Sequence, residues 1–134
     1  MTTRLLPLFA VATLAVPTAG AHHSFATYDR TTNLTLSGTV REFQWTNPHA
    51  WIQVLVPGDK GTTEWSVECG SPNMMARTGW KKTTLAPGAA VSVTINPLLE
   101  GGPSGSLVTI TLADGTVLGP GDAPPPKPLG AALP

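Results

Sequence analysis

Three histidines are the residues best suited to chemistry in this chain: His22 and His23, adjacent near the start, and His49, closing the run WTNPH at 45–49. Imidazole nitrogens suit Cu(II), whose tetragonal preference favours nitrogen donors. If the chain is cut after Ala21, His22 offers both a free α-amine and an imidazole, and a histidine from elsewhere in the fold completes a T-shaped set of three nitrogens. His49 is the natural third donor, because Asn47-Pro48 marks a turn that would hold it at the start of a strand. A cut after Gly20 or after Ala19 instead puts His23 or His22 third from the free amine, an arrangement that wraps Cu(II) or Ni(II) in amine, amide and imidazole nitrogens. Copper is therefore the expected metal, with His22, His23 and His49 as its ligands.

The cut itself is an expectation from the first 21 residues. Arg4 supplies a positive end, Leu5 to Val16 form a short apolar run, and Ala19-Gly20-Ala21 offers small residues where a signal peptidase reads. The apolar run falls short of the ~20 residues a membrane-spanning helix needs. Residues 1–21 are thus read as a signal peptide, and the product as periplasmic or secreted with no transmembrane segment. At the other end, GPGDAPPPKPLGAALP at 119–134 has too few packable side chains to fold and reads as a Pro-rich disordered tail. Residues 22–118, roughly 95 of them, make one small domain.

Composition removes several other classes. Eight basic residues balance eight acidic ones without a basic stripe, so nucleic acid is not an expected partner. Cys69 is the only cysteine, so no internal disulfide staples the fold. It lies in phase with an apolar strand face, and no serine setting of the G-x-S-x-G kind occurs. Glu64 and Glu68 alternate outward on one strand, ~13 Å apart, too far for joint acid and base work on one bond, and read as surface residues. No catalytic constellation is visible, so an enzyme is not expected.

The elements that must position these groups are mostly strands, because apolar residues recur at every second position between Asn33 and Leu118. Leu34, Leu36, Gly38 and Val40 share a face, then Arg41-Glu42 shifts the phase before Phe43 and Trp45, which predicts a bulged and bent first strand. Ile52, Val54 and Val56 mark a second strand, ended by PGDKG at 57–61. Trp65, Val67 and Cys69 mark the inward face of a third. Ser71 as N-cap, Pro72 at the first position and Gly79 beyond the end predict one short helix, on which Met74 and Met75 read as gap-fillers. Val91, Val93 and Ile95 give a fourth strand. Val108, Ile110 and Leu112 give a fifth, with Asp114-Gly115 turning the chain toward 116–118. Three strands, a helix and two strands is the order of a small five-stranded OB-like barrel, an all-β fold with one short helix. Another small antiparallel barrel or a sandwich is the alternative.

The stretches AHHSFATYDR, GTVREFQWTNPHAWIQV, EWSVECGSPNMMARTGWKKTTLAPG and LVTITLADGTVL together resemble the exported bacterial family catalogued as domain of unknown function 6152. The resemblance spans roughly residues 21–118. It implies export and a small β-barrel, and no mechanism. Cys69 departs from the glycine expected at its place, which speaks against a family-wide role for this thiol.

Three functional readings follow. In the first, the protein is an exported, non-catalytic binding module that holds copper through its histidines. In the second, the histidines are incidental and the barrel face near Trp45, Asn47 and Trp51 binds a small molecule or a periplasmic protein. Trp65 is instead expected in the core, in phase with its apolar neighbours. The third, a copper-dependent oxidoreductase, has no visible substrate surface to support it.

Overall fold

The computed structural model describes residues 27–121, and His22 and His23 therefore lie outside the described residues. Six strands and one helix follow in the order β1 (Leu34–Gln44), β2 (Trp51–Gly58), β3 (Gly61–Glu68), α1 (Pro72–Arg77), β4 (Ala90–Pro97), β5 (Ser104–Leu112) and β6 (Val117–Leu118). The expected barrel is present. Its first strand is long enough to serve both halves: Thr39 to Gln44 pair antiparallel with β2, while Leu34 to Thr39 pair antiparallel with β4. The phase shift at Arg41-Glu42 is a bulge, since Val40 faces Val54 and Glu42 faces Gln53, with Arg41 as the extra residue.

Closure comes from a short parallel pairing of β3 with β5, through Ser66 with Ser104, Val67 with Gly105 and Glu68 with Ser106. The circuit β1-β2-β3-β5-β4 and back to β1 is the OB arrangement. The two-residue β6 adds onto the far part of β5. Inward residues of all five strands, among them Leu36, Val40, Ile52, Val54, Val67, Val93, Ile95 and Ile110, form one buried cluster.

Helix α1 begins as its sequence dictates. The Ser71 side chain accepts a hydrogen bond from the Met74 amide and Pro72 opens the first turn. Met75 is fully buried beneath it, whereas Met74 is exposed, so only one of the two methionines fills a gap. Trp80 is buried beyond the helix and donates its indole N–H to the Gly119 carbonyl. The Gly70 amide bonds to the Pro120 carbonyl, and Gly121 lies against Met75. Residues 119–121, the first of the Pro-rich segment, are thus packed on the barrel.

Two strand details differ from the sequence pattern. Val108 was expected inward with Ile110 and Leu112, but the buried residues of β5 are Gly105, Leu107 and Ile110. Thr94 faces Thr109 while Ile95 faces Leu107, so Val108 is the extra residue of a second bulge and the inward phase flips across it. The other difference concerns Glu68, which is buried.

Gly38 sits in β1 where a Cβ would meet the backbone of Leu55 on β2. Gly38→Ala is expected to destabilise the protein by about 1–3 kcal/mol, since backbone must shift to admit the methyl. Urea unfolding checks this, and an unchanged midpoint would contradict so close an approach.

Candidate functional site

Glu68 is the last residue of β3 and alternates with inward-facing Val67, which places its side chain on the outer wall of the barrel. Sequence alternation therefore gave its direction correctly and its exposure incorrectly: only 4% of Glu68 is exposed. Two other parts of the chain cover it. Tyr28 donates its hydroxyl to Glu68 Oε2 at 2.6 Å, and His49 Nδ1 lies 2.7 Å from Glu68 Oε1. Both carboxylate oxygens are engaged in a buried row, Tyr28–Glu68–His49. Glu64, four residues earlier, is exposed and pairs with Arg41, in keeping with its surface reading.

The covering segments are held in place by their own backbones. Residues 27–33 run beside the connection from β4 to β5: Leu99 donates to the Thr27 carbonyl, Asp29 donates to the Pro97 carbonyl, and Tyr28 bridges to Leu98. The Asp29 carboxylate then accepts from the Thr31 amide and from the Thr31 and Thr32 hydroxyls, a local turn that delivers the chain to β1. Those bonds, Thr31's foremost, hold the Asp29 carboxyl below its ordinary range. On the other side, the β1–β2 connection closes with Thr46 Oγ1 bonded to the His49 carbonyl, and its Asn47–Pro48 peptide is cis. Ala50 exchanges backbone bonds with Gly70 and Cys69, which fixes His49 beside the end of β3.

The ligand-wall residues separate. Trp51 is the cross-strand partner of Glu68, so the two share the outer face. Trp45 packs edge-on against Phe43, with ring centroids 5.5 Å apart, and belongs with the apolar core. Asn47 is exposed at the tip of the connection. Trp65, as expected, packs against the core.

Burial and the adjoining Glu68, as hydrogen-bond acceptor and as charge, push the Tyr28 hydroxyl above its ordinary value of 10.0, with Ser104 acting weakly the other way. Burial and Glu68 likewise push the Cys69 thiol up, which leaves it protonated and unreactive. Among the described residues, no group of three or more His, Cys, Asp and Glu side chains converges. What the row does provide is an imidazole of fixed orientation. Its Nδ1 lies against the Glu68 carboxylate, the kind of neighbour that orients metal-binding histidines.

Tyr28 and Glu68 escaped the reading of the sequence. A tyrosine five residues beyond a double histidine and a glutamate in an outward strand position carry no individual signal. Only the coverage of β3 by residues 27–33 makes them a site.

The model described as a family of unknown function (DUF6152) matches residues 10–107, which take in β1 to β4, α1, and the row Tyr28, His49 and Glu68. The chain belongs to that family. Neither the curated proteins nor the solved structures contain a match.

Tyr28 is the chain's only tyrosine, so phenolate absorbance reports it alone. Below pH 10.0 the phenol is protonated whether the chain is folded or unfolded, and its contribution to stability is fully present. Above that pH the unfolded chain ionises first, so stability falls as pH rises. The folded protein should show no phenolate until well above pH 10.0, and Glu68→Gln should lower the midpoint. A native midpoint near 10.0 would contradict the buried row.

Proposed function

We propose that this protein is an exported, non-catalytic binding module that holds Cu(II) at the Tyr28–Glu68–His49 corner of its barrel. The ligands are His49 and the N-terminal histidines His22 and His23, with the α-amine of His22 included when processing leaves it first. The observation that carries this reading is the 2.7 Å contact of His49 Nδ1 with a buried carboxylate. A carboxylate beside the imidazole holds a ligand's ring in place before any metal arrives.

Chain reach supports the same assembly. His22 precedes Tyr28 by six residues, a span of at most ~20 Å. Because Tyr28 and His49 both contact the same carboxylate, the tether begins next to the imidazole it must meet. Closing the metal site is then an intramolecular step, favoured by effective concentration. Trp51, sharing the outer face with Glu68, would form one wall of this site, which absorbs the best-placed residue of the aromatic reading.

His49→Ala in the processed protein, and separately one extra residue before His22, should each weaken Cu(II) binding by about 100-fold. The nitrogen hyperfine pattern of the bound Cu(II) should lose one donor in the first variant. Unchanged affinity in both variants would overturn the copper reading.

A further inference from the structure

Three of the four tryptophans serve the barrel interior: Trp45, Trp65 and Trp80 pack in or against the buried cluster. Trp51 does not join that cluster and makes no ring contact. Alternation with buried Ile52 and Val54 turns Trp51, Gln53 and Leu55 outward along β2, each of them half-buried between β1 and β3. Neither the Trp51 indole N–H nor the Gln53 amide has a hydrogen-bond partner among the described residues. An indole left half in water forfeits burial that a ligand can supply.

The neighbours say what kind of ligand fits. Register sets Gln44 beside Trp51, and Glu42 and Ser66 on either side of Gln53, so amide, carboxylate and hydroxyl stand about 5 Å from β2 across the face. Gln44 Nε2 donates to Glu42 Oε2 at 3.2 Å, which leaves the Gln44 side-chain oxygen to accept. From Trp51 through Gln53 to Leu55 the row offers ring, amide and alkyl surface in turn over about 13 Å. The three strands carry one arginine against three glutamates and no lysine, and Arg41 is paired with Glu64. A phosphate or sulfate chain finds no free cation here and meets carboxylates instead. Hydroxyls are the groups this surface satisfies: amides donate to them and accept from them, the carboxylate accepts from them, and the indole face takes the adjoining C–H bonds. An uncharged molecule that repeats apolar C–H faces rimmed by hydroxyls is a neutral sugar chain.

We infer that the outer face of β1, β2 and β3 binds a neutral oligosaccharide, with Trp51 as the platform on which a sugar ring stacks and Gln53, Gln44 and Glu42 as hydrogen-bond partners of its hydroxyls. The site shares only Trp51 with the copper corner, needs no metal, and does not rest on that reading.

The experiment is an NMR titration of the isotope-labelled, processed full-length protein, with a chelator present to keep it free of metal. The probes are uncharged hexasaccharides of β-linked glucose, β-linked N-acetylglucosamine and β-linked mannose, with a thymidylate oligomer in parallel. At least one hexasaccharide should shift the Trp51 indole N–H resonance, identified by its absence in Trp51→Phe, together with the side-chain amides of Gln53 and Gln44. Trp51→Ala should weaken that binding by about tenfold, Trp51→Phe, which keeps a ring, by less, and Gln53→Ala by about fivefold. Because Trp51 lies outside the core, these variants should keep the wild-type backbone spectrum, and Gln53→Ala carries the test if the Trp51 variants do not fold. Binding of none of the sugars, sugar binding that leaves the Trp51 and Gln53 resonances unmoved, or preference for the thymidylate overturns the inference.

Discussion

A carboxylate buried on the outer wall of a small barrel is the constraint around which this corner of the molecule is organised. A charge removed from water must be met by donors, because an isolated one costs more than a domain this small can absorb. Glu68 is met by Tyr28 from the segment before β1 and by His49 from the β1–β2 connection. Three parts of the chain far apart in sequence are thereby joined at one point. The side chain that ties residues 27–33 to the barrel is also the one that His49 lies against.

The corner lies where this architecture customarily places ligands. OB barrels bind across the outer face of the second and third strands, between the loops joining strands one and two and strands four and five. Here His49 comes from the first of those loops, Tyr28 is bridged to the second, and Glu68 and Trp51 stand on the face between them. Location on a fold is an analogy and carries no chemistry by itself. The chemistry comes from the side chains: one oriented imidazole, one carboxylate with both oxygens engaged, and one protonated phenol.

Much of the barrel was legible because local signals agreed. Alternation marked the strands, the doubled phase at Arg41-Glu42 marked the bulge that lets β1 turn between two neighbours, and Ser71-Pro72 marked the start of α1. Val108 misled because a second bulge opposite Thr94 and Ile95 flips the phase within β5, and a bulge without glycine or a polar doublet leaves no trace in the pattern. His49 was legible as a candidate because Asn47-Pro48 marks a turn into the second strand. Glu68 was not: alternation reports which side of a sheet a residue faces, never whether another segment lies across that side. Its partner Tyr28 precedes the first strand, in a stretch with no periodicity to read, and is seated by backbone bonds to Pro97 and Leu99 some 70 residues away in sequence.

The account stands on the claim that the folded barrel contributes a ligand the N-terminus lacks. Competition titration of Cu(II), with a chelator of known affinity, tests it most directly on two species: the authentically processed protein, its first residue verified by mass spectrometry, and a peptide of its first few residues. Binding by the protein tighter than by the peptide, by about 100-fold, is the predicted result. Equal affinity would mean that His49 and its buried carboxylate take no part, and would contradict the account.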